Sequence, residues 1–367
     1  MKDKVMQDKI KDYFLKLTRL GLDRGAIVNT EITLRDSNEW EVIKATAEQQ
    51  GLSDIVLDGI DKLPIEHRPL QEFLLQWIGE TLQNESMCQL QGEVARDVAK
   101  LFYRNGIKTY VLKGVIISEC YPKPNHRVSV DIDIFLLPEK SDFDAWAFGN
   151  DLVRNKGFQV NTDFYKNSSF DISGATFENH QFLTPFRGNE RLASVERVLQ
   201  ELIRQDKSED IIEGTKLYRP PVMVSALFLI EHAYSHFLHE GLTWRHVLDW
   251  MMFSHKHKAE IEWYSFEAML EEFGFKKFYD TYNRLGRFAL GELPEDELTK
   301  NDRRMLEDVW AELDLHDTTE GFEGKLNLVG NTLRAWWKYR YFSEISMLHA
   351  LWIQVYGVLF DKNPTLD

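Results

Sequence analysis

The stretch that decides the fold is residues 128–137, which read Val-Ser-Val-Asp-Ile-Asp-Ile-Phe-Leu-Leu. Polar and apolar side chains alternate along it, which predicts a strand with Asp131 and Asp133 on one face and Ile132 and Ile134 on the other. Two carboxylates about 7 Å apart on one strand face repel each other. A divalent cation removes that repulsion, and Mg²⁺ prefers a few carboxylates together with substrate phosphates. The stretch therefore predicts a Mg²⁺ site on its polar face.

The sequence just upstream supplies groups that suit a phosphate. Residues 108–112 are β-branched and aromatic and predict a buried strand, and Lys113 and Gly114 follow it directly. A glycine at that turn lets the backbone approach a phosphate closely, and the amides that open the following helix add donors. Arg127 and Ser129 immediately precede the acidic pair, where they are placed to orient it or to contact phosphates.

Helical patterns surround this α/β unit on both sides. Apolar residues at three- and four-residue steps predict helices before it, at residues 3–20, 40–50, 70–82 and 86–105. The unit itself is expected to contain strands at 108–112, 128–137, 158–165 and 176–183 and helices at 115–120 and 143–155. Further helices are expected at 192–204, 222–239, 244–255, 264–273, 278–290, 302–313 and 326–360, with 206–219 as a loop. We therefore predict an N-terminal helical region (1–105), an α/β core (106–187) and a C-terminal helical domain (188–367).

The composition bounds the function class. The 367 residues include 44 Lys+Arg against 59 Asp+Glu, a net charge of −15, which argues against sequence-independent nucleic-acid binding because phosphate affinity comes mainly from basic residues. The two cysteines, Cys88 and Cys120, exclude a disulfide framework or a four-cysteine zinc site and favour a reducing compartment. The longest stretch without a formal charge, 345–360, is shorter than the roughly 20 apolar residues of a membrane span. A cytoplasmic protein without a membrane partner is expected.

Residues 112–137 resemble the nucleotidyltransferase superfamily, whose fold is that of DNA polymerase β. They are most similar to the bacterial group of uncharacterised nucleotidyltransferases, related to abortive-infection toxin nucleotidyltransferases. The resemblance implies an α+β core with a small mixed sheet, flanked by helical regions. It also implies Mg²⁺ or Mn²⁺ as the metal and an NTP such as ATP as the donor substrate. Superfamily members place a Gly-(Gly/Ser) turn before an Asp-x-(Asp/Glu) strand, with a third carboxylate on a later strand.

The resemblance also assigns the third carboxylate. In the family this residue stands two positions before a histidine, which favours Glu178, because Glu178 alternates with His180 in the stretch 176–182. Asp163 and Asp171 are the other candidates for the third carboxylate. By the same resemblance, the metals would be held by three carboxylates, which are Asp131, Asp133 and Glu178. The triphosphate would be bound by the groups around the turn and before the acidic strand, namely Lys113, Gly114, Arg127 and Ser129. One departure from the superfamily pattern is Val115, which replaces a small residue after the glycine and removes a possible hydroxyl contact to phosphate.

Three other features have a structural and a functional interpretation. His232, His236 and His239 share one helix face, but a zinc-protease motif is excluded because Ala233 stands where its catalytic Glu belongs. Residues 244–249 place an Arg and an Asp four apart, which suits an intrahelical ion pair. Residues 333–342 interleave cations with aromatic residues, a pattern that suits either base stacking or a helix whose cations extend over an aromatic core.

Taken together, these observations predict an enzyme that transfers a nucleoside monophosphate from an NTP to a hydroxyl or phosphate acceptor on a small molecule, a protein or an RNA. Pyrophosphate is the other product. A non-catalytic nucleotide-binding or scaffold protein on the same fold is the alternative. A toxin-like enzyme that modifies tRNA is a third interpretation, which the net charge of −15 disfavours.

Overall fold

The computed structural model describes residues 2–24, 34, 37–140, 142–207, 210–311, 335–359 and 366. Within them the chain is α+β, as predicted, with one small mixed sheet between helical regions. The strands are β1 (Ile107–Val111), β2 (Asp131–Pro138), β3 (Asn167–Ile172), β4 (Ala175–His180) and β5 (Leu217–Tyr218). They lie in the order β3-β4-β2-β1-β5. β1 and β2 are antiparallel, β2 and β4 are parallel, β3 and β4 are antiparallel, and β1 and β5 are parallel.

The sheet separates two hydrophobic clusters, and β2 contributes to both. Ile132 and Ile134 pack with Val98 and Phe102 on one face of the sheet. Phe135 belongs to the larger cluster on the other face, which contains the C-terminal helices. Because side chains alternate along a strand, Asp131 and Asp133 lie on the face that the C-terminal helices cover.

One long helix leads into the sheet from the N-terminal side. The helices there are α1 (Lys2–Gly21), α2 (Ser37–Gln49), α3 (Ser53–Asp61) and α4 (Gln71–Arg104). The sequence pattern predicted two helices over the span of α4, but no Gly or Pro interrupts residues 83–85 and the helix continues through them. Asn84 donates from its side chain to both carboxylate oxygens of Asp54, which ties the middle of α4 to α3.

The remaining helices lie on both faces of the sheet. Two lie within the α/β unit, α5 (Val115–Ser118) and α6 (Ala145–Asn155). After β4 come α7 (Glu190–Arg204), α8 (Val222–His239), α9 (Trp244–Lys256), α10 (Trp263–Glu272), α11 (Lys276–Ala289), α12 (Lys300–Ala311), α13 (Trp336–Phe342) and α14 (Met347–Leu359). Of these, α6 lies on the Ile132 and Ile134 face and α8 lies over the acidic face. No helix in the described ranges is long and apolar enough to span a membrane.

Besides the two helices that were predicted over α4, three predicted elements differ from the structure. The strand expected at 158–165 lies later, at β3, because the Asn161 side chain accepts from the Asp163 amide in a local turn and leaves a single bridge to Ser169. The predicted loop 206–219 contains β5, which extends the sheet beside β1. The described part of the predicted helix 326–360 is broken at Ser343, where the backbone becomes extended.

Candidate active site

The turn after β1 approaches the acidic strand closely. Gly114 has φ 61° and ψ −106°, a conformation that side-chain-bearing residues rarely adopt. A β-carbon at this position would lie 3.3 Å from the Ser129 Oγ and 3.8 Å from the Asp131 carbonyl oxygen. Glycine is therefore favoured by the backbone angle, and a β-carbon would in addition press on the Ser129 hydroxyl at the start of β2.

Two of the three predicted carboxylates are direct neighbours across a strand pair. The parallel register of β2 and β4 pairs Asp133 with Glu178 and Asp131 with Thr176. Paired residues on adjacent strands project to the same face, so all three carboxylates share the face that α8 covers. One oxygen each from Asp133 and Glu178 and one ring nitrogen of His180 lie within 4.8 Å of one another. The pairing brings together groups that are 45 residues apart in the sequence.

Asp133 is fully buried between two cationic groups. Its Oδ1 accepts a hydrogen bond of 3.0 Å from the His180 Nε2, and its Oδ2 lies 3.3 Å from the Lys113 Nζ. The His180 Nδ1 lies 3.2 Å from the carbonyl oxygen of Phe182. Since both ring nitrogens face acceptors, both must donate, and His180 is an imidazolium.

The surroundings shift the carboxyl groups in opposite directions. Burial raises the pKa of Asp133, but the Lys113 charge and the His180 hydrogen bond outweigh it and hold that pKa well below its usual range. The His180 imidazolium, whose Nε2 lies 3.6 Å away, lowers the pKa of Glu178, so this half-exposed carboxylate is ionised at neutral pH. Burial and the neighbouring Asp133 charge raise the pKa of Asp131. The unfavourable charge at Asp131 is what a bound cation would relieve.

The donor set fits a divalent hard cation. Among the described residues, the Asp133 Oδ2 is buried and has no hydrogen-bond partner, so it retains a lone pair for a ligand. The oxygens of Asp131, Asp133 and Glu178 are the ligand type that Mg²⁺ and Mn²⁺ accept. His180 is committed to hydrogen bonds as an imidazolium, which leaves the three carboxylates as the groups able to hold metal. Lys113 occupies the side of Asp133 nearest the Gly114 turn.

A family model described as an uncharacterised nucleotidyltransferase matches residues 36–285, about two thirds of the chain. The chain belongs to this nucleotidyltransferase family. No curated protein and no solved structure matches it. The matched span contains the Gly114 turn, the acidic strand, β4 and all of α8, α9 and α10.

In this nucleotidyltransferase, Arg127 and Ser129 are already engaged within the protein. The Arg127 Nε and Nη2 donate to the two carboxylate oxygens of Asp249, at 3.0 and 2.6 Å, and both side chains are buried. Asp249 also accepts from the Tyr121 hydroxyl. It was expected to pair with Arg245, which instead donates to the carbonyl oxygen of Val128 at 3.3 Å. The Ser129 Oγ donates to the Asp131 carbonyl oxygen, so it braces the acidic strand.

Two cavities of similar size lie near the acidic strand. The first, about 510 Å³, is bounded by the Gly114 turn, Ser129 and Asp131 on one side and by α4 on the other. The second, about 500 Å³, is formed by residues 164–166 and 185–192, α8 and α13 to α14. A small pocket of about 40 Å³ beside Asp131 and Asp133 is lined by His232, which also lines the second cavity. Both cavities are within the size range of small-molecule sites.

The histidines of α8 have separate partners. The His232 Nε2 lies 3.2 Å from the Lys113 Nζ, His236 pairs with Glu240 at 2.9 Å, and the His239 Nδ1 bonds the Ser235 carbonyl oxygen. Burial lowers the pKa of His232 well below its ordinary value, so it is neutral and accepts from the Lys113 ammonium. His232, His236 and His246 have ring nitrogens within 4.8 Å of one another. Imidazoles carry no negative charge to offset the Lys113 ammonium 3.2 Å from His232, whereas the carboxylates on β2 and β4 do, so a metal is disfavoured at this histidine cluster.

The rivals for the third carboxylate lie elsewhere. Asp163 is exposed in the turn before β3, and Asp171 is exposed on β3, where it accepts from the Thr176 hydroxyl. The cation-rich stretch 333–342 is described only from Ala335, and there Lys338 is buried in an ion pair with Asp308 at 2.7 Å. That contact agrees with cations packed over an aromatic core. Sequence reasoning missed Glu231, a buried acid within the apolar run 226–233, whose only signal was its position in that run.

Proposed function

We propose that this chain transfers a nucleoside monophosphate from an NTP to an acceptor hydroxyl or phosphate and releases pyrophosphate, in a reaction that requires Mg²⁺ or Mn²⁺. The observation that carries the proposal is the convergence of Asp131, Asp133 and Glu178 on one sheet face, next to the Gly114 turn. Family membership supports the reaction class. The acceptor and the base of the NTP are not given by that membership.

The first cavity suits the triphosphate. It is bounded by Gly114, whose backbone has no side chain to keep a phosphate away, and it opens toward Asp131. Lys113 lines this cavity as well as the small pocket beside Asp133, so its ammonium is placed to neutralise charge on the departing pyrophosphate. Arg127 contributes rigidity, because Asp249 already offsets its charge.

Each carboxylate has its own part in the proposed reaction. Asp131, Asp133 and Glu178 would hold the metal, which when bound screens the triphosphate and makes the acceptor hydroxyl more acidic. Glu178 is ionised and half-exposed, so it is placed to take the hydroxyl proton. The acceptor oxygen then bonds to the α-phosphorus, while the bond between that phosphorus and the oxygen bridging the α- and β-phosphates breaks and pyrophosphate leaves. His180 keeps Asp133 ionised and fixes its Oδ1, which leaves its Oδ2 for a ligand.

The test is a thermal-shift titration with ATP, GTP, CTP and UTP, each with and without Mg²⁺. A ligand at about 100 times its dissociation constant adds about 2.7 kcal/mol to the unfolding free energy, which raises Tm by several degrees. The expected result is a Mg²⁺-dependent shift with at least one NTP in wild type that disappears in Asp131→Asn/Asp133→Asn. A shift that persists in the double variant, or no shift with any NTP, would contradict the proposed site.

A further inference from the structure

The second cavity contains a buried carboxylate that the fold does not use. Glu231 lies on α8 and is 1% exposed, and neither of its carboxylate oxygens has a hydrogen-bond partner among the described residues. Burial raises its pKa to about 7. An unpartnered polar group in the interior is destabilising unless something else satisfies it. Glu231 lines the cavity, so a bound molecule is placed to supply the missing donor.

A second buried glutamate in the C-terminal helices has the hydrogen bonds expected of a carboxylate with a structural role. Glu196 on α7 is also fully buried, but it accepts from the backbone amides of Leu183 and Thr184 and from the Thr184 hydroxyl. It also accepts from the side-chain amide of Gln200. The contrast indicates that Glu231 is kept for something other than the stability of the protein.

Two cations face the same cavity. Lys166 lines it directly before β3, and its charge acts at longer range on Asp133, on His180 and on Glu231. Arg187 also lines it, with its guanidinium 4.2 Å from the centre of the Tyr165 ring. The cavity thus combines a site for a hydroxyl or amine donor, at Glu231, with a site for an anionic group, at Lys166 and Arg187.

The position of this cavity relative to the carboxylates suits the attacking substrate. In nucleotidyl transfer, the attacking and leaving oxygens lie roughly in line on opposite sides of the phosphorus. The Gly114 turn lies on the β1 side of β2, whereas Glu178 and Lys166 belong to the β4 side. A triphosphate whose leaving end points to Gly114 therefore requires an acceptor that arrives from the β4 side, where His232 lines both the second cavity and the small pocket beside the aspartates.

We propose that the second cavity binds the acceptor, and that the acceptor is a small hydroxyl compound with one anionic group. The anionic group is held by Lys166 and Arg187, a hydroxyl or amine group of the compound donates to Glu231, and a second hydroxyl reaches Glu178. This inference rests on the proposed function. A cavity of about 500 Å³ that is partly closed by α13 and α14 suits a metabolite better than an RNA or a protein surface.

The experiment uses the NTP that produces the thermal shift, radiolabelled on its α-phosphate, with Mg²⁺ and the full-length protein. Four acceptor pools are prepared from a bacterial extract: dialysable anionic compounds, dialysable neutral compounds, RNA and protein. The expected result is label in the anionic dialysable pool. Label in the neutral, RNA or protein pool would overturn the inference and leave nucleotidyl transfer standing. No label in any pool, although the NTP binds, would overturn the proposed function and the inference together.

Variants of residues that line the second cavity test whether it is the acceptor site. Glu231→Gln keeps the shape of the side chain and loses no hydrogen bond to a described residue, and it is expected to lower labelling by about tenfold or more. Lys166→Met is expected to act in the same direction and serves as an independent second variant. The NTP-induced thermal shift should remain as in wild type for Glu231→Gln. Glu272→Gln, an exposed change on α10, is the control. Unchanged labelling in both Glu231→Gln and Lys166→Met would overturn the assignment.

Discussion

Asp133 on β2 and Glu178 on β4 are register partners in a parallel strand pair, and His180 lies between their carboxylates, with its Nε2 3.0 Å from Asp133 and 3.6 Å from Glu178. The imidazolium holds two like charges next to each other in the absence of metal. This arrangement leaves the Asp133 Oδ2 directed away from His180 and without a hydrogen-bond partner among the described residues. The site is therefore assembled in a form that can receive a cation.

Single substitutions in the acidic strand test the proposed chemistry. Asp131→Asn and Asp133→Asn are each expected to slow pyrophosphate release by at least about 100-fold, because each removes a ligand charge from the metal site. Asp171→Asn is the matched control, since Asp171 is an exposed strand aspartate that contacts Thr176. Release by either site variant at the wild-type rate would contradict the assignment.

The Gly114 turn can be tested against a second glycine with a positive φ. Gly114 has φ 61° and Gly106 has φ 76°, so an alanine at either position is expected to lower the unfolding free energy by about 1–3 kcal/mol. Only Gly114→Ala should weaken NTP binding, because only there does the added methyl group meet Ser129 at the cavity wall. Urea denaturation and NTP titration measure the two effects. Equal NTP affinity in the two variants would argue against a phosphate at this turn.

The buried pair of Arg127 and Asp249 is expected to dominate the stability of the region. Asp249→Leu leaves a buried guanidinium without its partner and should lower the unfolding free energy by about 3–5 kcal/mol. The double variant Arg127→Met/Asp249→Leu should recover most of that loss, because no charge remains buried. Asp280→Asn, which breaks an exposed helix pair with Lys276, should change stability by less than about 1 kcal/mol. Denaturant midpoints check all three variants.

Replacing the two buried glutamates, Glu196 and Glu231, by leucine is expected to have different effects on the free energy of unfolding. Glu196→Leu leaves the amides of Leu183 and Thr184 without an acceptor and should lower the unfolding free energy by at least about 2 kcal/mol. Glu231→Leu removes a carboxylate that has no hydrogen bond to any described residue, so stability should be unchanged or higher. Thermal unfolding without ligand measures both. A large loss in Glu231→Leu would mean that this carboxylate supports the fold.

His126 connects stability to pH. Burial lowers its pKa, but hydrogen bonds to Asp58 at 2.7 Å and Glu85 at 2.9 Å outweigh burial and raise it above the ordinary 6.5. A raised histidine pKa gives stability that is fully present below pH 6.5 and is lost as the pH rises through the folded-state value. Burial raises the pKa of Asp58, but the hydrogen bond from His126 outweighs burial and the pKa is lowered. The stability that Asp58 contributes is therefore present above about pH 4 and is lost as the pH falls below that value.

We therefore expect Tm to fall between pH 6 and pH 8 by more in wild type than in His126→Gln. The exposed His349→Gln is the control and should follow wild type. Parallel Tm profiles for wild type and His126→Gln would show that the three-residue contact does not contribute to the pH dependence.

Local sequence patterns were sufficient to predict those features that depend only on neighbouring residues in the chain. The alternation through residues 128–137 predicted the strand and its acidic face, and the strand-to-glycine order predicted the turn at Gly114. Both follow from the two-residue period of a strand and from the freedom of a glycine backbone. The α+β class and the family followed from the same short stretch.

Pairing over long distances was decided only by the tertiary structure. Sequence order did not reveal that Asp249 would bind Arg127, 122 residues away, and not Arg245 on its own helix. It also did not reveal that His232 would accept from Lys113, that Glu231 would find no hydrogen-bond partner in the part of the chain that the structure describes, or that β5 would join the sheet. The physical reason is that residue type fixes periodicity and local conformation, whereas the partner of a buried charge depends on which elements pack together.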